Sequence, residues 1–242
     1  MNKLECVALV MLFTSCSVMY KPTMTNVPMF SEKGEMQASV SLEDLQLAYS
    51  VSKSVGLILN GQHLNRGPLS LGDGKTSDYQ VRNTCIDGAI GMYTAGQKSS
   101  FDFFVGFGKG YSSVSYYEDG YLSGGNSHFN KFYFQPDLVL RNKKRVKIAF
   151  SIRVTLADFY ELPLTSNGPT SLPNNWATFV EPSFTLRKDI GVIGLVGQLQ
   201  YSAASEHADF YYGHFIPFHD RMALRFAFLL HVDKIVSKGV HL

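Results

Sequence analysis

The sequence predicts an all-β chain, an antiparallel up-and-down transmembrane β-barrel of about ten strands, preceded by a lipoprotein signal and a short tether. Three observations carry this prediction. The first is alternation, clearest in residues 143–160, KKRVKIAFSIRVTLADFY. There Val146, Ile148, Phe150, Ile152, Val154 and Leu156 share one parity, and Arg145, Lys147, Ala149, Ser151, Arg153 and Thr155 share the other. Successive side chains of a strand point to opposite faces, so this strand has one uncharged apolar face and one cationic, small-residue face. The second is loop rhythm: short Lys-bearing turns alternate with long connections, the first hairpin excepted. The third is composition: 17% charged, 13% aromatic and 21 glycines, with no apolar run long enough for a membrane helix.

The 242 residues suit one large all-β domain. A net charge of +2 excludes a broad basic surface for nucleic acid. A mean hydropathy of −0.02 argues against a helical membrane protein.

The chain opens with Lys3, an apolar core Cys6–Phe13, and Thr14-Ser15-Cys16. This is the layout of an export signal. The ending Leu12-Phe13-Thr14-Ser15-Cys16 resembles a bacterial lipobox, with Phe13 where Leu, Val or Ile is usual. The resemblance implies that Cys16 is lipidated and becomes the first mature residue. The expected division is therefore 1–15 signal peptide, 16–33 lipidated Cys16 and extended tether, 34–233 barrel, and 234–242 C-terminal tail. With Cys16 lipidated, Cys85 has no disulfide partner and reads as a small buried hydrophobe.

Residues 17–33, with Pro22, Asn26 and Pro28, show no periodicity and read as the tether. Three short strands follow, on Met36/Ala38/Val40/Leu42, Leu45/Leu47/Tyr49/Val51 and Val55/Leu57/Leu59. Residues 63–78 form a long Gly/Pro/Asn/Asp-rich loop. The fourth strand, 79–94, sets Ile86, Ile90 and Met92 against Cys85, Asp87 and Ala89. The fifth sets Phe101, Phe103, Val105 and Phe107 against Asp102, Phe104, Gly106 and Gly108. Residues 113–126 read as a second long loop with Tyr116, Tyr117 and Tyr121.

The sixth strand, 128–141, sets Phe132, Phe134, Leu138 and Leu140 against Lys131, Tyr133, Gln135 and Asp137. The strand at 143–160 is the seventh, and 158–175 the third long loop. The eighth carries Val180, Phe184 and Leu186 against Glu181, Ser183 and Arg187. The ninth carries Ile193, Leu195, Leu199 and Tyr201 against Val196, Gln198 and Gln200. Residues 202–220 form the last long loop, and the tenth strand sets Met222, Leu224, Phe226 and Phe228 against Arg225 and Ala227. Pro136 and Pro182 stand mid-strand, where proline cannot donate to the ladder, and predict a bulge or bend.

Long connections on one rim and short turns on the other are the plan of a membrane barrel with external loops and periplasmic turns. Barrels near this strand number fill their interior with side chains, so a mostly closed lumen is expected rather than a wide channel. The expected lumen charge network is Arg145, Lys147, Arg153, Asp87, Asp102, Asp137, Glu181, Arg187 and Arg225, with Arg145, Lys147 and Arg153 facing the acids, since buried charges must be paired. Arg82 and Lys131 are expected above the membrane and solvated. Aromatics near the outer rim, Tyr111, Tyr116, Tyr117, Phe129, Phe159, Tyr160, Trp176, Tyr211 and Tyr212, read as an interfacial girdle or an adhesive surface.

The chemical signals are sparse. The last long loop gathers Glu206, His207, Asp209 and His214, a candidate rim site, but in no known ligand spacing. Gly106-Phe107-Gly108-Lys109-Gly110 lacks the following helix of a phosphate loop, and its glycines are expected to relieve crowding inside the barrel. No catalytic residue, metal or cofactor is expected.

Together, the lipobox-like end at Cys16, Thr25-Asn26-Val27-Pro28, Gly34-Glu35-Met36-Gln37 and the ten strands resemble small lipid-anchored outer-membrane β-barrel proteins of Gram-negative bacteria. The resemblance implies an outer-membrane location with the anchor on the periplasmic side and outer-membrane lipid as a partner. A non-enzymatic envelope-structural or surface-binding role is expected, with an extracellular glycan or protein as ligand. The alternatives are a periplasmic lipoprotein whose soluble barrel holds a lipid-like ligand, with Phe101, Phe103 and Phe107 turned inward, an outer-rim hydrolase, or a narrow pore.

Overall fold

The computed structural model describes residues 18–66, 80–118, 121–142, 146–160, 176–204, 218–219 and 222–237. After a short β1 (Val18–Tyr20) come β2 (Met36–Val40), β3 (Asp44–Ser50), β4 (Val55–Arg66), β5 (Gln80–Tyr93), β6 (Ser99–Glu118), β7 (Tyr121–Arg141), β8 (Val146–Tyr160), β9 (Trp176–Ile190) and β10 (Ile193–Tyr201). Then follow β11 (Ala203–Ala204), β12 (Phe218–His219), β13 (Met222–His231) and the helix α1 (Val232–Ser237). Each of β2 to β9 pairs antiparallel with the next, β13 pairs with β2, and β10 pairs with both β9 and β13. Ten strands thus close a wall with no free edge, and β11 extends the contact with β9.

Parity sorts the wall as alternation predicts. Phe150, Ile152 and Leu156 are exposed, while Ala149, Ser151, Arg153 and Thr155 are buried. Phe101, Phe103 and Phe107 also face outward, at 53%, 36% and 41% exposure. A soluble barrel holding a lipid-like ligand on that face needs the opposite orientation. At Gly106, Gly108 and Gly110 the lumen is as crowded as expected. A Cβ there would stand 2.3 Å from the Tyr133 ring, 2.4 Å from Asp87 and 2.0 Å from the Phe129 ring, respectively.

Several expectations need correction. Residues 113–118 and 121–126 are strand, not loop: Ser113 pairs with Asn126 and Tyr117 with Leu122, so β6 and β7 form one long hairpin. Tyrosine and serine carry the ladder there without an apolar face, which removes the signal that alternation relies on. Neither proline makes a bulge. The β7–β8 pairing skips Gln135 and Pro136 but resumes in the same register, and Pro182 pairs straight across with Ile152. Both prolines sit on the outward parity of their strands. The chain after β13 begins with α1, tied to the wall where the Met36 amide donates to the Asp233 carboxylate at 3.2 Å.

The largest difference concerns the expected tether. Residues 20–30 are extended, but every one of them is buried. They run down the middle of the barrel. The chain then turns through 31–35 at the rim that carries the short connections and enters β2.

Candidate functional site

The candidate site is the lumen and the segment that fills it. From the rim carrying the connections 67–79, 161–175 and 205–217 to the rim of short turns, the segment meets four successive zones of wall.

At the long-loop end Tyr20 stacks on Phe179, centroids 4.1 Å apart, and meets Phe129 and Phe159 edge-on. Cys85, Ala157 and Ala177 complete this cluster, so Cys85 is the buried hydrophobe expected of it. The Tyr20 hydroxyl donates to Glu181 at 2.9 Å. Phe129 and Phe159 therefore belong to the lumen rather than to an interfacial girdle.

Next comes a charged zone built around Thr23. Arg153 Nε lies 2.5 Å from Glu181, and Lys131 Nζ lies 2.6 Å from Asp87. Thr23 Oγ1 donates to Asp87 and accepts from Lys131 and from Arg153, at 3.2, 3.2 and 3.0 Å. Asp87 also accepts from Asn60 at 2.6 Å and from Tyr133 at 2.9 Å. The guanidinium of Arg153 stands 5.6 Å from the Tyr133 ring centroid, a cation–π contact. Both ion pairs are buried, and each of their polar side-chain atoms has a partner, the condition under which buried pairs hold. On the other side of the lumen Lys21 pairs with Glu43, and Arg225 lies 3.5 Å from Asp44.

The third zone is an amide sleeve. Gln198 accepts from the Thr25 amide and donates to the Thr25 carbonyl, both at 2.9 Å, imitating a neighbouring strand. Gln46 donates to the Met24 carbonyl and Gln135 to the Asn26 carbonyl. In the fourth zone Val27 and Met29 pack on Val139 and Ala149, and Phe30 packs on Tyr93. Gly56 makes room here, since a Cβ on it would stand 2.6 Å from the Phe30 ring. Met29 has φ +56°, a left-handed conformation uncommon for a non-glycine residue, where the segment bends toward β2.

The backbone is held as closely as the side chains. Gln62 and Arg225 donate to the Pro22 carbonyl, Arg153 to Thr23, Arg187 to Pro28, and Arg141 to Met29 and Phe30. With Gln46, Gln198 and Gln135, wall side chains reach the carbonyls of residues 22–26 and 28–30. A strand inside a closed wall has no neighbouring backbone to pair with, so side chains must satisfy it. A cavity of about 20 Å³ between segment and wall, lined by residues including Asn26, Gln46 and Arg187, has room for little more than a water molecule.

The expected network is realised in part. Of the four acids expected to face it, Arg153 meets Glu181. Lys147 instead pairs with Asp189 at 3.2 Å, because it lies at the short-turn end of β8, below the level of the acids proposed for it. Arg187 joins the same Asp189 at 2.7 Å, beside His231. Asp87 takes Lys131, which is 1% exposed and not solvated. Arg82 is exposed on the outward face. Asp102 and Asp137 oppose each other across the β6–β7 ladder, and neither oxygen of Asp102 has a hydrogen-bond partner among the described residues. Arg145, Cys16, Tyr211, Tyr212 and the rim set Glu206, His207, Asp209 and His214 lie outside the described residues, as do the side chains of Tyr116 and Tyr117.

Thr23, Asn26, Asp44, Gln46, Asn60, Asp189 and Gln198 carry the packing without having been singled out in the sequence. One signal pointed to them. The inward face is full of small residues, among them Ser39, Ala48, Ser50, Ala89, Ala149, Ser151, Ala157, Ala177, Ser183 and Ala227. Such a face leaves a central space that something else must fill.

No protein-family model matches the chain, and no curated protein matches it either. Among the described residues no group of three or more His, Cys, Asp or Glu side chains could hold a metal ion.

Proposed function

We propose that this chain is a non-enzymatic outer-membrane β-barrel lipoprotein of a Gram-negative envelope, with an envelope-structural or surface-binding role and a sealed lumen. The observation that carries this reading is the contrast between the two faces of the wall. Outward positions from Val146 to Leu156 on β8, from Phe101 to Phe107 on β6 and from Ile193 to Leu199 on β10 bear no charge. Eleven residues of β8, tilted by about 40°, span about 25 Å, the height of a lipid-facing band. Among the described strand residues, outward charges lie beyond it, at Lys109, Asp158 and Arg82 toward the long loops and at Lys188 toward the short turns. Tyr111, His128 and Tyr160 stack in cross-strand register on the long-loop side, the place of an interfacial girdle. No helix among the described residues is long and apolar enough to cross a membrane, so the strands are the only described elements that would do so.

In this reading the short turns face the periplasm. The long connections face outward and offer the surface for an extracellular glycan or protein. The lumen segment supports a structural role over a pore, because the space an ion would need is occupied. The test is fractionation with a heat-modifiability gel, together with accessibility of a spin label at position 150. Recovery in the outer-membrane fraction, a folded band that shifts on boiling and lipid exposure at position 150 are the expected results. Recovery in buffer without detergent would overturn the reading. Steady single-channel conductance of the intact chain would overturn the sealed lumen.

A further inference from the structure

We infer that the chain enters its own barrel through the long-loop mouth, so that the N-terminal anchor lies on the same side of the membrane as the long loops. This rests on the reading of the wall as membrane-spanning. The direction of the segment is set by the order of its partners. Tyr20 packs on Phe159 and Ala177, which flank the 161–175 connection, and on Phe129, the cross-strand partner of Phe159. Phe30 packs on Tyr93, and its carbonyl accepts from Arg141; these residues flank the short turns 94–98 and 142–145. Upstream of Tyr20, β1 runs parallel to β12, inside the stretch that joins β10 to β13 at the long-loop rim.

Chain length excludes the opposite arrangement. Between Tyr20 and Phe30 the chain descends ten residues, about 33 Å of extended backbone. Cys16 precedes Tyr20 by four residues, a reach of at most about 14 Å. Four residues cannot return the chain to the short-turn rim, and the lumen has no room for a second strand beside the first. Acyl chains on Cys16 therefore meet the leaflet on the long-loop side. With the short turns in the periplasm, that is the outer leaflet, not the periplasmic one that the lipobox and tether suggested. The partner implied is the apolar edge of the outer leaflet, and the lumen segment becomes the link between a surface anchor and the wall.

The experiment uses the full chain in its own membrane. A short flexible protease site is inserted between Ser17 and Val18, in the 67–79 connection after Asp73, or in the short turn between Gln97 and Lys98. A membrane-impermeant protease is then added to intact cells and to opened vesicles, and heat-modifiability confirms that each variant is folded. Cleavage at 17/18 wherever Asp73 is cut, with protection where only the 97/98 site is cut, is the expected result. An intact 17/18 site under conditions that cut after Asp73, or its cleavage together with 97/98 alone, overturns the inference. If 17/18 and Asp73 are cut together but only from the periplasmic side, the entry through the long-loop mouth stands and the proposed orientation of the barrel fails.

Discussion

Two levels of the inward wall, one around Thr23 and one around Asp102, meet the same segment with opposite chemistry. Around Thr23 the wall presents Asp87, Lys131, Arg153 and Glu181, each buried and each engaged by a charge of opposite sign. Nearer the short turns the inward wall presents Asp102 opposite Asp137, with Ser100, Ser151 and Ser183 hydroxyls that have no hydrogen-bond partner among the described residues. The segment follows this change: it is polar at Thr23, Thr25 and Asn26 and apolar at Val27, Met29 and Phe30. The contrast shows that inward charge is not by itself a network. A carboxylate becomes part of one where a cation stands within hydrogen-bonding reach at its own level of the barrel, as at Asp87, Glu181 and Asp189.

Substitutions that break each zone should differ in size, read as the urea midpoint of the folded barrel on a gel-shift assay. Arg153→Met leaves Glu181 buried without its cation and should cost about 3–5 kcal/mol, the largest effect. A loss below about 1 kcal/mol would mean that the pair around Thr23 does not hold the segment. Asp87→Asn keeps the shape but removes the charge facing Lys131, and should cost about 2–3 kcal/mol.

Gly56→Ala drives a Cβ into the Phe30 ring and should cost about 1–3 kcal/mol. Most of that loss should vanish in a Phe30→Ala background; a penalty of equal size in both backgrounds would place the ring elsewhere. Asp102→Asn should be the smallest, within about 1 kcal/mol of neutral, because it removes a like charge beside Asp137 together with the attraction to Arg141. If Asp102→Asn cost as much as Asp87→Asn, the distinction between the two zones would be lost.

How much of this was legible depends on whether a residue's role is set by its neighbours in the chain. The strand at Val146–Tyr160 was legible because its six apolar side chains alternate without a gap, and one face of any such strand must leave water. The inward direction of Arg153 follows from parity alone and its need for an acid from its burial, but which of Asp87, Asp102, Asp137 and Glu181 it meets is decided by the fold. For Lys147 parity gives a face but not a height: Asp189 lies at its level and Asp137 does not. Nearness to a loop suggests the outer surface for Phe129 and Phe159, but both lie on the inward parity.

The sequence by itself determined the wall: period-two alternation, ten strands, and long connections gathered on one rim, because these follow from the pleat and from short-range turn chemistry. Only the tertiary structure decided what lies within it. Residues 21–30 have no period of their own and no strand partner among the described residues, so nothing local marks them as structured. Their conformation is imposed by Gln46, Gln135, Gln198 and the arginines of a wall that exists only once the barrel has closed.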